Sequence, residues 1–228
     1  MRVVGIVQAR LGSTRLPGKV LMDIAGEPML IHVLRRVKAA GSLDAVVLAT
    51  TTEGRDDALL EPATHEQVPV FRGSESDVLR RYLDAAQEHD AEVVVRITSD
   101  CPLVDPQVID RSVTELLDHS HSHDLASNAI RRTFPKGLDV EVLFIDALMR
   151  LDRLAQTREY REHIVHFAYF ERPDLFLMHS VEEADDHSGL EWSVDTHGDL
   201  TRVRQLYERF ALAERIRPWR ELLEAGPA

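Results

Sequence analysis

The chain has 228 residues, 44% of them hydrophobic and 29% charged, which suits one α/β domain with a sizeable core. Its 27 basic and 39 acidic residues give a formal net charge of -12, which argues against nucleic acid or an anionic membrane as the main partner. The single cysteine, Cys101, excludes an internal disulfide. Because no signal peptide is recognised and no apolar run approaches the ~20 residues of a membrane span, we expect a cytoplasmic protein.

The first half of the chain alternates strand and helix patterns. Short runs rich in β-branched residues predict buried strands at 2–7, 45–50, 68–71 and 92–97. Helical spacing of apolar residues predicts a helix from Pro28 to Gly41, a short one after Asp57, one capped by Ser74 or Ser76, and one that begins at Asp105-Pro106. This alternation is typical of a parallel sheet with right-handed crossovers.

The second half has a different pattern. Strand and loop signals extend from 124 to 144, helical spacing follows at 147–154 and 160–168, and strands are predicted at 175–181 and 190–194 before a final helix at 200–210. We expect Arg72-Gly73-Ser74 to form a turn and Asp199 to cap the final helix. The whole chain, 1–228, is predicted to be a single domain in which an antiparallel lobe is inserted at about 124–185.

A basic loop follows the first predicted strand. Residues 8–19, which we call the cationic loop, bring Arg10, Arg15 and Lys19 into an otherwise acidic chain, and Gly12 and Ser13 add a close backbone approach and a hydroxyl donor. Such a loop at the carboxyl edge of a parallel sheet suits a polyphosphate. It is not a Walker loop, because the G-x-x-x-x-G-K-[ST] spacing is missing, and a basic surface loop without a ligand remains an alternative.

Two carboxylates follow other predicted strands. Asp100 comes after the strand at 92–97, and Asp195 comes after the strand at 190–194. If the two, which we call the aspartate pair, meet beside the cationic loop, they would hold Mg²⁺ together with phosphate oxygens. The alternative is that each aspartate only caps a turn.

The cationic loop carries a family signature. The string QARLGSTRLPGKVL is similar, without a gap from Ala9 to Leu21, to the pattern A-R-x-x-S-x-R-L-P-G-K-x-L of the cytidylyltransferases that activate acidic sugars. Within that group the chain most resembles the branch of spore-coat polysaccharide biosynthesis protein F. The resemblance implies a Rossmann-like nucleotide-diphospho-sugar transferase fold, with a mostly parallel central sheet between helices.

The resemblance also implies roles for individual residues. It makes Arg10, Lys19 and Asp100 catalytic and assigns Mg²⁺ to Asp100 and Asp195. The nucleotide side would comprise Ala9, Arg10, Gly12, Ser13, Arg15, Lys19, Gly73, Ser74 and Asp77. The sugar side would comprise Thr98, Lys136, Asp139, Glu141, Glu162 and His163. Thr98 stands where ketodeoxyoctonate-activating relatives carry Gln, which leaves the identity of the sugar open.

The activity implied is transfer of a cytidylyl group from CTP to an acidic sugar, or to a sugar phosphate, with release of pyrophosphate and without nucleic acid or membrane as partner. Two alternatives are a glycosyltransferase of the same fold, although its D-x-D motif is absent at Ser99-Asp100-Cys101, and a non-catalytic nucleotide-binding homologue. We expect a homodimer, and the apolar side chains of the predicted lobe could pair with a second copy or could equally be covered within the chain; these are Leu138, Val140, Val142 and Phe144. The histidine-rich tract 118–124 resembles a metal-binding tract in composition, but it lies between a helix and a strand and is not assigned a metal.

Overall fold

The computed structural model of the protein describes residues 1–225. Its strands are β1 (Val3–Gln8), β2 (Asp23–Ile24), β3 (Glu27–Pro28), β4 (Ala45–Thr51), β5 (Val70–Gly73), β6 (Val93–Thr98), β7 (Leu125–Ser127), β8 (Glu141–Phe144) and β9 (Met178–Ser180). Its α-helices are α1 (Met29–Lys38), α2 (Leu60–His65), α3 (Val78–Glu88), α4 (Pro106–Asp118), α5 (Ile145–Leu154), α6 (Arg158–Glu162), α7 (His197–Phe210) and α8 (Trp219–Leu222).

The main sheet has the strand order β5-β4-β1-β6-β8-β7-β9 within the described residues. The predicted parallel arrangement is confirmed for β1, β4, β5 and β6, where β1 lies between β4 and β6 in parallel register. The carboxyl ends of these strands therefore meet at one edge of the sheet, where α/β proteins of this kind bind ligands.

Helices cover both faces of the sheet. Val3 and Val7 of β1 point into a core with α1, α4 and α7, whereas Val4 and Ile6 point into a second core with α3 and α5. Alternate residues of one buried strand thus serve two cores, which explains why β1 is almost continuously apolar. The predicted mostly parallel α/β fold is confirmed.

The segment predicted as an antiparallel lobe extends the main sheet. β8 runs antiparallel to both β6 and β7, and β9 runs parallel to β7 at the edge. A separate small antiparallel sheet lies elsewhere, where β2 pairs with β3. The apolar residues expected at a dimer face are covered within the chain: Leu138, Val140 and Val142 are fully buried. These three side chains therefore do not form an exposed face for a second copy.

Several local predictions were wrong. Residues 190–194 do not form a strand; Glu191 makes one isolated bridge with Lys136, and Trp192 N–H donates to Lys136 O at 2.7 Å. The helix expected across 160–168 is broken into α6 and a π-helical turn at Phe167–Glu171. Arg72 and Gly73 belong to β5 rather than to a turn.

The helix caps were predicted in part. Asp105 caps α4 as expected, by accepting the Gln107 N–H at 2.7 Å. Asp77 caps α3 instead of Ser74 or Ser76. Thr196 rather than Asp199 is the N-cap residue of α7, and Asp199 is its partner in a capping box. Among the described residues there is no helix of the length and apolarity that crossing a membrane requires.

Candidate active site

A cleft of ≈ 700 Å³ opens at the carboxyl ends of β1 and β6. Many of the predicted site residues line it: Ala9, Arg10, Gly12, Ser13, Arg15, Lys19, Thr98, Asp100, Glu162, His163 and Asp195. The structure thus brings the cationic loop, the aspartate pair and part of the predicted sugar side into one cavity.

A buried carboxylate holds the cationic loop in place. Asp56, which is fully buried, accepts the Leu11 N–H at 2.7 Å and the hydroxyl hydrogen of Thr51. Leu16 and Val20 anchor the far end of the loop in the core. The loop is therefore held in shape without a ligand, which lowers the entropy that a bound phosphate would have to offset.

Two glycines in this loop do different work. An added Cβ at Gly12 would lie 2.9 Å from Oε1 of Glu75 and 3.2 Å from a guanidinium nitrogen of Arg55, so a larger residue would crowd this wall of the cleft. Gly18 has φ of 69°, a left-handed conformation that favours glycine, and its N–H donates to Leu11 O at 3.2 Å. Gly18 closes the loop but does not line the cleft.

Lys19 joins the two halves of the site. Its ammonium donates to Asp100 Oδ2 at 2.8 Å, to Asp195 Oδ1 at 2.9 Å and to Val194 O at 2.8 Å. Arg15 also lies 2.9 Å from Asp195 Oδ1. The aspartate pair, which is separated by almost half the chain, is therefore brought together around one cation.

The charges of this cluster stabilise each other. Burial lowers the pKa of Lys19, but Asp100 and Asp195 raise it by charge and hydrogen bonding, and the balance lies above the ordinary value of 10.5. Burial likewise raises the pKa of Asp100, but Lys19 more than offsets this, so the pKa lies below 3.8. At neutral pH the cluster consequently contains an ammonium and ionised Asp100.

The aspartate pair suits a hard divalent cation. Within residues 1–225 there is no group of three or more His, Cys, Asp or Glu side chains arranged to hold a metal ion. Two carboxylates and the Val194 carbonyl nevertheless already surround the positive charge of Lys19. Mg²⁺ commonly takes only one or two protein carboxylates and completes its shell with phosphate oxygens and water, so these residues fit it.

A second wall of the cleft is formed by α6 and by His163, which follows it. Glu162 forms an ion pair of 3.0 Å with Arg10, and the His163 ring stacks on His166 with centroids 4.6 Å apart. Arg161 holds this short helix in place by bonds of 2.7 Å to both Asp77 and Asp152. Glu162 and His163 therefore reach the cleft because Arg161 fastens their helix to α3 and α5.

Six of the predicted residues do not line the cleft: Gly73, Ser74, Asp77, Lys136, Asp139 and Glu141. Asp77 caps α3 and binds Arg161, and the Ser74 hydroxyl accepts the Asp77 N–H at 3.1 Å. Gly73 ends β5, where an added Cβ would meet Arg81 at 2.9 Å. Gly73, Ser74 and Asp77 thus support the wall without lining it, whereas their neighbours Glu75 and Ser76 line the cavity.

The remaining three form ion pairs outside the cavity. Lys136 bonds Glu191 at 2.8 Å, and Asp139 is paired with Arg132. Glu141 is buried under the cleft, where it binds Arg96 at 2.5 Å. Glu141 thus reaches the site only through Arg96.

Sequence reasoning missed four charged residues of the cleft, namely Glu75, Arg81, Arg96 and Arg158. Arg81 and Arg96 carried a signal: one lies on the apolar face of a helix and the other within an apolar strand. Arg81 Nε, Arg96 Nε and Gln8 Oε1 are buried with no hydrogen-bond partner among the described residues. Because buried polar atoms are seldom unpaired, they indicate that ligand or water contacts complete this cavity.

The histidine tract forms a cluster away from the cleft. His119, His123 and His179 have ring centroids 5.1 to 5.4 Å apart, and His179 Nε2 lies 2.7 Å from Glu115 Oε2. The cluster does not form a group of His, Cys, Asp or Glu side chains that could hold a metal ion, and none is present elsewhere within residues 1–225.

Several known proteins are similar to this chain in sequence and in fold. The chain is 29% identical over 214 residues to spore coat polysaccharide biosynthesis protein SpsF of Bacillus subtilis, covering 91% of this chain and 87% of that protein. A cytidylyltransferase structure from Leptospira borgpetersenii is 33% identical, with a TM-score of 0.94 over 99% of this chain and 93% of that chain. CMP:2-keto-3-deoxy-manno-octonic acid synthetase, solved with CTP, shares the fold at 17% identity and a TM-score of 0.71, covering 92% and 100% of the two chains.

The family model for cytidylyltransferases matches residues 4–207. This range contains the cationic loop, the aspartate pair and α6, so the match includes the whole cleft wall described above. The resemblance predicted from the Ala9–Leu21 signature is confirmed. The chain belongs to the cytidylyltransferase family, and it is a nucleotidyltransferase.

Proposed function

We propose that the protein is a Mg²⁺-dependent cytidylyltransferase that joins CMP to an acidic sugar and releases pyrophosphate, in the biosynthesis of a surface or spore-coat polysaccharide. Transfer to a sugar phosphate, which would give a CDP-sugar, is the second substrate class. The pathway is suggested by the similarity to SpsF, and CTP by the family and by the CTP complex of the related synthetase.

One observation carries the proposal: the cationic loop and two carboxylates from distant parts of the chain line a single cleft. A triphosphate is strongly anionic, so bare carboxylates would repel it. The combination of cations with a carboxylate pair is understandable if a metal ion bridges the pair to phosphate oxygens. A purely basic cleft would need no such pair, and a purely acidic one would reject the nucleotide.

The reaction needs no nucleophile from the protein. An oxygen of the acceptor attacks the α-phosphorus, the bond from that phosphorus to the bridging oxygen breaks, and pyrophosphate leaves with the electron pair. Where the attacking group is a hydroxyl, its proton is released to water. When bound, Mg²⁺ supplies charge neutralisation at the phosphoryl oxygens. Arg10 and Lys19 offset the charge that grows on the leaving group, and the fixed loop holds the phosphates in line.

The acceptor side of the proposal rests on the second wall. Arg158 lines the cleft without an ion pair among the described residues, whereas the charge of Arg96, which also lines it, is paired with Glu141. Positive charge beyond the cationic loop suits an acceptor that carries its own anionic group. A carboxylate and a phosphate both meet this requirement, so the acceptor panel must contain both.

The direct test measures pyrophosphate release by the purified protein. CTP, UTP, GTP and ATP are each supplied with Mg²⁺ and with eight-carbon sugar acids, nine-carbon sugar acids or sugar phosphates. We expect turnover with CTP and with one acceptor class. Preference for another nucleotide, or turnover only without an anionic acceptor, would contradict the proposal.

Site variants assign the roles. Lys19→Ala and Asp195→Ala should each lower kcat by about 100-fold or more, because electrostatic groups at a transferring phosphoryl contribute on this scale. Lys38→Ala and Asp174→Ala are matched controls, since Lys38 contacts Glu66 and Asp174 contacts Arg172, all outside the cleft. Full activity in Asp195→Ala would remove the metal role.

A further inference from the structure

Lys19 stands inside the oxygen cluster that the aspartate pair forms with the Val194 carbonyl. Its ammonium bonds all three oxygens at 2.8 to 2.9 Å, and its side chain is only 11% exposed. Two carboxylates and a carbonyl are also ligands that a hard divalent cation takes. The ammonium therefore bonds one oxygen of each carboxylate, and these are oxygens that a metal ion could also take.

Two cations cannot share these oxygens at low cost. An ammonium that kept its hydrogen bonds and a divalent ion on the same carboxylates would be close like charges, which repel strongly in a partly buried site. Arg15 adds further positive charge at 2.9 Å from Asp195. A metal ion that takes the oxygens bonded by Lys19 would therefore displace its ammonium.

A bound triphosphate would give a displaced Lys19 new partners within the cleft. Lys19 shares the cavity with Arg10, Gly12 and Ser13, the residues that the proposed function assigns to the triphosphate. Phosphate oxygens give the displaced ammonium new negative partners, whereas a free metal ion brings none. Displacement is thus far less costly when metal and triphosphate arrive together.

We propose that Lys19 is an internal counter-ion that keeps the aspartate pair closed to free divalent cations and yields the pair only to a metal ion that arrives with the triphosphate. This inference rests on the proposed function for the identity of the nucleotide. It has a diagnostic consequence: neutralising Lys19 strengthens binding of the free metal and weakens binding of the metal–nucleotide complex.

The first measurement is the affinity of the protein for Mn²⁺ alone, with free Mn²⁺ counted by electron paramagnetic resonance. Lys19→Gln keeps a hydrogen-bond donor beside the pair but removes the charge. Arg10→Gln is the matched control, because the partner of Arg10 is Glu162 and not the pair. We expect Lys19→Gln to bind Mn²⁺ about tenfold more tightly than the wild type, and Arg10→Gln to stay within about threefold.

The second measurement is calorimetric titration with preformed Mn²⁺–CTP, without any sugar, so that no turnover occurs. Lys19→Gln should bind this complex about tenfold more weakly than the wild type, because a charge-assisted contact to phosphate is lost. A variant that was merely damaged would bind both ligands more weakly. The reversal of sign is therefore specific to a counter-ion.

Equal affinity of wild type and Lys19→Gln for free Mn²⁺ would overturn the inference. Failure of the wild type to bind Mn²⁺–CTP would contradict the proposed function instead, and the comparison with free Mn²⁺ would still decide whether Lys19 closes the pair. Adding Asp195→Asn to Lys19→Gln should remove the gained affinity; a gain that persists places the ion elsewhere and also overturns it. If thermal melting shows Lys19→Gln to be unfolded, Lys19→Met takes its place.

Discussion

Asp56 shows how a residue outside the cleft determines what the cleft can bind. It is fully buried, yet both of its oxygens are used, one by the Leu11 N–H of the cationic loop and one by the Thr51 hydroxyl. A buried carboxylate with two donors is stable only while both donors remain in place. Asp56 is therefore a positioning residue for the loop.

Asp56→Ala leaves the Leu11 N–H without its partner. We expect a loss of about 1–3 kcal/mol in the free energy of unfolding, the usual cost of an unsatisfied buried group, and a raised KM for CTP because the loop is no longer fixed. Urea unfolding and steady-state kinetics measure the two effects. Asp56→Asn retains an oxygen acceptor and should recover most of both losses; an Ala variant with unchanged stability and KM would refute the anchoring role.

Lys19 is a residue inside the cleft whose charge is stabilised by its neighbours. Its net charge interactions raise its pKa although burial opposes the charged form. Lys19 is thus part of a cluster in which the carboxylates of Asp100 and Asp195 neutralise its charge. For this reason we expect its replacement to change the affinities for free metal and for the metal–nucleotide complex in opposite directions.

At the scale of elements, α6 depends on its neighbours. A helix of five residues is not stable alone, and here Arg161 fastens it to Asp77 of α3 and Asp152 of α5. Because α6 carries Glu162 and His163 into the cleft, its placement controls the wall assigned to the acceptor.

Arg161→Met should therefore loosen the acceptor wall. We expect the KM for the acceptor to rise about tenfold while the KM for CTP changes by about twofold or less, since small misplacements of positioning groups are costly. Arg153→Met, an exposed position on α5, is the matched control. Equal increases in both KM values would mean that Arg161 supports the whole site instead of one wall.

The histidine cluster links the end of α4 to β9. Burial, followed by repulsion from His179 and His119, lowers the pKa of His123 below 6.5, whereas Asp124 opposes the shift; His179 is bonded to Glu115. At pH values between the pKa of His123 in the folded chain and its ordinary value of 6.5, the unfolded chain binds more protons than the folded chain. The free energy of unfolding therefore rises with pH through this window, and the contribution of His123 is fully present above 6.5.

His123→Asn should flatten this dependence. Thermal melting of the wild type and the variant from pH 5 to 8 gives the measurement, and the difference between them removes the contribution of other groups. We expect the variant to be relatively more stable at the acid end and equal to the wild type at pH 7.5. A constant difference across the range would show that His123 does not titrate with folding.

At the scale of the whole molecule, the features that could be predicted correctly from the sequence are mostly those that depend on neighbouring residues. The strands β1, β4 and β6, the Asp105 cap and the loop from Ala9 to Leu21 follow from apolar runs, turn residues and a specific signature. The convergence of Asp100 and Asp195 was also expected, and the structure brings both to Lys19.

What failed depended on long-range pairing. Residues 190–194 have strand composition, but their backbone bonds loop residues, as when Val194 N–H donates to Asp100 O at 2.8 Å. The antiparallel placement of β8 between β6 and β7 has no local signal either. Arg96 was overlooked because a charge inside a strand is only understood once its buried partner Glu141 is known.

The ammonium of Lys19 has most of its partners 175 and 176 positions further along the chain. Since synthesis runs from the amino terminus, a nascent polypeptide contains Lys19 long before those partners leave the ribosome. Until then the ammonium lacks two of the three oxygens that bind it in the folded chain. The complete Lys19 cluster therefore forms only after residues 194 and 195 have been synthesised.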